Sequence, residues 1–114
     1  MAGVAYKRDI NDMRESPALD VMAVLEQKGA LVSYTDPYVP SIEAREWPGN
    51  RDLVSASFDA ETLSAADCVV ILTDHRTFDY ELLVAKAPLV VDARNTIKTP
   101  HPHVFKIGAP VTPA

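Results

Sequence analysis

Three basic side chains stand where a small anion could be gripped. Lys7 and Arg14 flank a polar, charge-rich stretch, and Arg94 follows a short apolar run. Arginine offers a planar fork of N–H donors for phosphate oxygens, and lysine a compact point charge. Brought to one crevice, the three groups suit a diphosphate. Ser16-Pro17, just after Arg14, is a helix-opening pair, and a helix N-terminus adds free amides and a favourable dipole. Any one of these cations alone reads more readily as a solvated surface charge, and only the convergence of all three brings the anion reading level with it. Arg14 can also pair with Asp9 or Asp12, but exposed pairs contribute only roughly 0–1 kcal/mol, a weak reason for the cluster.

Other reactive groups are less suggestive. His75 follows an apolar run and can donate to a phosphate or ribose oxygen, or order its own loop. His101 and His103 lie close in an extended segment, but a metal site needs about three or four ligands and no cysteine or aspartate cluster joins them. No metal site is expected. Cys68 opens a buried strand and reads as core. Ser16, His75 and Asp92 make a triad on paper only, since nothing resembles a nucleophile elbow. No catalytic residue is assigned. The glycine fingerprint G-x-G-x-x-G is absent, so this chain is expected to bind no cofactor of its own.

The elements that must position these groups alternate strand and helix. Gly3–Tyr6 reads as the end of a buried strand whose beginning is missing, since strands usually run about 5–6 residues. Lys7–Glu15 is the loop at its carboxyl end. Ala18, Val21, Met22 and Leu25 form an apolar helical stripe, and Gly29 suits the C-terminal cap. Leu31–Thr35 reads as a second strand, ended by Asp36-Pro37. A helical turn is expected around Ser41–Glu46, with Trp47 as a local packing anchor. Leu53–Ala56 reads as an edge strand, and Asp59 caps a helix over Ala60–Ala65. Cys68–Leu72 is apolar on consecutive positions, as in a central parallel strand covered on both faces. A third helix over Phe78–Ala85 leads to Leu89–Val91, and Val104–Ile107 is a last edge strand. The tail over residues 109–114 is expected to be loose.

This order predicts an α/β fold: a three-layer, Rossmann-like open parallel sheet, order 3-2-1-4-5-6, with a truncated first strand. Ligands of such sheets sit at the carboxyl ends of strands near the winding reversal, where Lys7, Arg14 and Arg94 all fall. The chain has 114 residues, the size of one domain, and residues 1–114 are expected to form a single one. Its formal charge of −5 disfavours nucleic acid as a partner. No apolar stretch approaches the roughly 18 residues of a membrane span. The N-terminus does not read as a signal peptide, and the single cysteine allows no intrachain disulfide, so the cytoplasm is the expected compartment.

The motif Gly3-Val4-Ala5-Tyr6-Lys7, followed by Asp9, Asp12, Arg14, Glu15, Ser16 and Pro17, resembles the opening of the C-terminal domain of UDP-glucose/GDP-mannose dehydrogenases. Asp36-Pro37, Ala66-Asp67, Thr73-x-His75 and Val91-Asp92-x-Arg94-Asn95 are similar to that family in order and spacing. The wording looks nearest to enzymes acting on UDP-N-acetylhexosamines. The resemblance implies a domain that holds the nucleotide diphosphate of a sugar nucleotide. NAD would bind to a separate N-terminal domain, and a central helical segment would join the halves and make a homodimer. The whole enzyme would oxidise a sugar C6 alcohol to a carboxylate. The resemblance implies Lys7 as a substrate-contacting lysine, Arg94 as a phosphate-facing arginine and Arg14 as a motif arginine with an architectural share. The NAD domain and the catalytic cysteine segment are not in this sequence, so the chain alone is expected to be inactive. The alternative is a structural or dimerisation module without nucleotide affinity.

Overall fold

The computed structural model describes residues 1–5 and 17–107. The Lys7–Glu15 loop, the Ser16 cap and the tail after Ile107 lie outside them, as do Lys7 and Arg14 themselves.

Helix α1 spans Pro17–Gln27 and buries Ala18, Leu19, Met22 and Ala23. The buried stripe is rotated slightly from the expected one, because Val21 and Leu25 are only half-buried. Gly29 ends the helix at φ +97°. Its N–H bonds to Glu26 O at 3.0 Å, and the Ala30 N–H reaches back to Leu25 O at 3.0 Å. That pair of bonds is the left-handed glycine cap that satisfies the last carbonyls.

Asp36-Pro37 then turns the chain. The Val39 N–H bonds to Asp36 O at 3.2 Å, and the Tyr38 N–H to Asp36 Oδ1 at 2.8 Å. Aspartate first and proline second is the composition such a turn favours. Strand β1 (Ser41–Ile42) pairs antiparallel with β2 (Leu53–Val54). Between them lie a 3-10 turn over Ala44–Glu46 and the buried Trp47. The Trp47 indole N–H donates to Arg51 O at 2.7 Å, and the Arg51 guanidinium sits over its ring. Trp47 is thus the packing anchor expected.

Helix α2 (Ala60–Ala65) is capped by Asp59, which accepts from the Thr62 N–H. Strand β3 (Val69–Ile71), helix α3 (Tyr80–Lys86), strand β4 (Val90–Asp92) and strand β5 (Val104–Lys106) complete the order. These strands form a parallel sheet, β3-β4-β5, in register Val69↔Val90 and Val90↔Val104. Leu63 of α2 and Leu83 of α3 pack with Val69, Ile71 and Val90 in one apolar cluster. A second cluster gathers α1, Val4, Ala5, Tyr34, Val39, Ile42, Trp47 and Leu53.

The expected six-stranded ladder is drawn in only half its length. Ala2 bridges in parallel to both Thr35 and Ile71, but residues 1–5 and 31–36 form no longer strand. Two local facts account for this. Gly3 takes φ +87°, which leaves the extended region. Leu31 and Ser33 are exposed while Val32 and Tyr34 face one apolar cluster, so 31–34 is covered on one face only. The β1–β2 ribbon is antiparallel and separate from the parallel sheet.

Gly3 is required where it stands. A Cβ there would meet Thr73 Cβ and Thr73 O at 2.5 Å, on top of the positive φ. Gly3→Ala is expected to cost about 2–4 kcal/mol of stability, read from urea melts. A loss under about 0.5 kcal/mol would show that the segment moves aside freely.

Tyr34 is buried, and its O–H donates to Val39 O at 2.8 Å. Burial, aided by the charges of Asp36 and Glu46, pushes its pKa up to about 12. A raised folded-state pKa means stability present below the ordinary tyrosine value of about 10 and lost as pH rises through the folded one. Unfolding followed by circular dichroism should therefore steepen between about pH 10 and 12, and Tyr34→Phe should flatten that limb.

Candidate functional site

The segment Val4–Ala5, the turn at Tyr38 and the loop after β3 meet around one buried carboxylate. Asp36 is 1 % exposed. Its Oδ2 accepts from the Val4 N–H at 2.9 Å, the Ala5 N–H at 3.1 Å and His75 Nε2 at 2.8 Å. Its Oδ1 takes the Tyr38 N–H. A carboxylate only accepts, so the His75 proton on this bond belongs to Nε2. The neighbouring Thr73 hydroxyl donates to Ala5 O at 2.6 Å. The residues that lead into the Lys7 loop are therefore held from both flanks.

His75 is fully buried, with its ring 4.7 Å from Tyr38 and 5.4 Å from Phe78 between centroids. Of the two roles its sequence position allows, this geometry displays loop ordering. Asp36 is the residue that sequence reasoning undervalued. Asp36-Pro37 signals a strand end and a turn, but the contacts to Val4, Ala5 and His75 span 31 to 39 positions.

Asp92 repeats the device at the end of β4. It is fully buried, and its oxygens accept from the Arg94 N–H at 3.1 Å and the Ile97 N–H at 2.8 Å. Asn95 takes φ +54° in the same turn. The turn throws Arg94 outward, with its side chain 52 % exposed, and Arg94 Nε lies 3.7 Å from Asp74 Oδ1. That distance makes an ion pair but not a good hydrogen bond. The Thr96 hydroxyl beside it is buried and has no hydrogen-bond partner among the described residues. Arg76, on the loop after β3, is exposed. Arg94 and His75 thus lie on adjacent loops, while Lys7 and Arg14 lie outside the described residues.

Cys68 is half-buried, and burial pushes its thiol pKa up, which disfavours the reactive thiolate. His101 and His103 have ring centroids 5.9 Å apart, and His103 Nε2 bonds to Val84 O. No helix among the described residues is long and apolar enough to cross a membrane.

Residues 1–99 match the model of the UDP-glucose/GDP-mannose dehydrogenase family, UDP binding domain. The chain belongs to that family. It is 38 % identical over 76 residues to a UDP-N-acetyl-D-mannosamine dehydrogenase of Methanococcus maripaludis, covering 67 % of this chain and 16 % of that protein. It is 35 % identical over 98 residues to a UDP-glucose 6-dehydrogenase of Rhizobium meliloti, covering 82 % and 22 %. The structure of a UDP-D-ManNAc dehydrogenase from Pyrococcus horikoshii superposes with a TM-score of 0.68 and 28 % identity, over 94 % of this chain and 24 % of that one. A UDP-N-acetyl-mannosamine dehydrogenase from Staphylococcus aureus gives 0.66 and 27 %, over 93 % and 25 %. The chain therefore spans a quarter or less of the length of these proteins. The family resemblance read from the sequence is borne out.

Removing the Asp36 carboxylate strands buried donors from three segments. Asp36→Ala is expected to lower the unfolding free energy by about 3–5 kcal/mol, measured by urea denaturation. A cost below about 1 kcal/mol would show that Asp36 does not tie these segments together.

Proposed function

We propose that this chain forms the nucleotide-sugar-binding domain of an NAD-dependent dehydrogenase that oxidises the C6 alcohol of a UDP-sugar, with a UDP-N-acetylhexosamine as the favoured substrate. The observation that carries this is the placement of Arg94. It leaves the carboxyl end of β4 half exposed, beside Asp74 on the loop after β3, and the neighbouring Thr73 holds Ala5 ahead of the Lys7 motif. Diphosphate oxygens would displace the weak Asp74 contact and take the guanidinium fork. Lys7 supplies the point charge, and Arg14 orders its own loop or joins the contact. His75 serves through Asp36, by fixing the Val4 and Ala5 amides just ahead of Lys7.

In this reading residues 1–114 are a single substrate-binding unit. The NAD site and the nucleophile that carries the oxidised carbon belong to the rest of the enzyme, in the cytoplasm. The domain by itself binds the nucleotide weakly and oxidises nothing. A second reading, an association module, is favoured by one feature. Phe105 and Ile107 are 58 % and 65 % exposed on and just after β5, the last strand of the parallel sheet among the described residues.

Amide chemical shifts during titration with UDP, GDP and NAD test the main reading. UDP alone is expected to move resonances around Lys7, Arg14 and Arg94. Arg94→Ala should weaken UDP binding by about tenfold or more, a loss near 1.4 kcal/mol, with unchanged circular dichroism. Shifts with NAD only, or none with any nucleotide at millimolar concentration, would overturn it.

A further inference from the structure

A cleft of about 380 Å³ has the residues on either side of Asp36 in its lining. Its size is within the ordinary range for small-molecule sites, roughly 300–1,000 Å³. Thr35 and Pro37 form one wall, Ser55 and Ala56 another, and Phe58, Thr77, Phe78, Asp79 and Leu82 complete it. Neither Arg94 nor any other basic residue lines it.

Its chemistry differs from that of the loop that carries Arg94. Phe58 and Phe78 stack with centroids 4.9 Å apart and an interplanar angle of 17°. Phe78 is buried, and His75 and Tyr80 hold it edge-on at 5.4 Å and 6.1 Å. Phe58, the half-buried ring, therefore rests on a fixed aromatic support. An aromatic face backed in this way suits stacking of a planar heterocycle. At the rim, Asp79 Oδ1 is taken by the Leu82 N–H that starts α3, and the Asp79 and Thr77 side chains are exposed. A carboxylate is an acceptor pair matched to adjacent sugar hydroxyls, and it repels phosphate.

We infer that this cleft is a second site, which takes a nucleoside: its base on Phe58 and its ribose hydroxyls on Asp79, with any phosphate left outside. The inference does not depend on the diphosphate reading of the Arg94 crevice. The two sites share only the Asp36 turn and the His75 ring behind Phe78.

The test is a chemical-shift titration of the 114-residue chain with adenosine, uridine and glucose, each to about 10 mM. Either nucleoside is expected to move the amides of Ser55–Phe58 and Thr77–Asp79 in a saturable way, and glucose is not. Asp79→Asn keeps the helix cap, because asparagine also caps well, and should weaken the nucleoside at least fivefold. Phe58→Leu keeps an apolar side chain but removes the stacking face, and should weaken it similarly. UDP-induced shifts at Arg94 should survive both changes. No saturable shift in these amides with either nucleoside would overturn the site. So would equal shifts with glucose, or nucleoside affinity within twofold of the parent in a folded Asp79→Asn chain.

Discussion

Burying a carboxylate costs several kcal/mol unless its lone pairs find donors, and around Asp36 they do. Four donors converge on its two oxygens, against about four lone-pair sites. They come from three separate stretches: Val4 and Ala5, the turn at Tyr38, and His75. The apolar clusters alone would leave these stretches loosely related. One cluster is built on α1 and the Trp47 region, the other on α2, α3 and the parallel sheet. The segment Ala2–Ala5 runs between them, contributing Ala2 to one and Val4 and Ala5 to the other. Asp36 fixes that segment against both halves, and the close approach of Gly3 to Thr73 makes the fit tight.

The same economy shapes the candidate site. Asp36 and Asp92 each lie at the end of an extended segment, and each turns its carboxylate inward to hold the amides of the following loop. Their negative charge is thereby committed to backbone donors, and for Asp36 to His75 as well, and kept off the surface. Arg94 is thrown outward by one of those turns, and its guanidinium makes a long contact to Asp74. An acidic chain can in this way keep a local cation half exposed: Asp36 and Asp92 face inward, and Asp74 lies beside the guanidinium at a distance too long for a good hydrogen bond.

Elements that depend on neighbours in sequence were legible without a structure. Asp59 and the Ala60–Ala65 helix fall where the capping pattern puts them, and Gly29 ends α1 as its freedom at positive φ suggests. The apolar runs Cys68–Leu72 and Leu89–Val91 supply the paired strands Val69–Ile71 and Val90–Asp92. What failed was long-range. Residues 31–35 have strand composition, but Leu31 faces solvent and only Thr35 bridges. Ser41–Ile42 joins a ribbon because Leu53–Val54 arrives opposite it, not because of anything local. The role of Asp36 was hidden for the same reason. A signal was present in His75, a histidine closely followed by Phe78 and Tyr80, which reads as a ring destined for packing. Its partner could not be named from spacing alone.

The stiffness of the Asp36 turn bears on how both clefts work. Thr35 and Pro37, the residues on either side of Asp36, line the Phe58 cleft, and His75 packs its ring on Phe78. The same carboxylate fixes Val4 and Ala5, which lead to the Lys7 loop. Rotation of the carboxylate would break several charge-assisted bonds at once, each worth about 1.5–3 kcal/mol. A weak ligand has too little differential affinity to drive such a change, since it can shift an equilibrium only by that difference. The wall between the clefts therefore behaves as a fixed partition. Ligands at the two proposed sites would meet a preformed surface there, and the freedom to adapt would lie in exposed side chains such as Arg94 and Asp79.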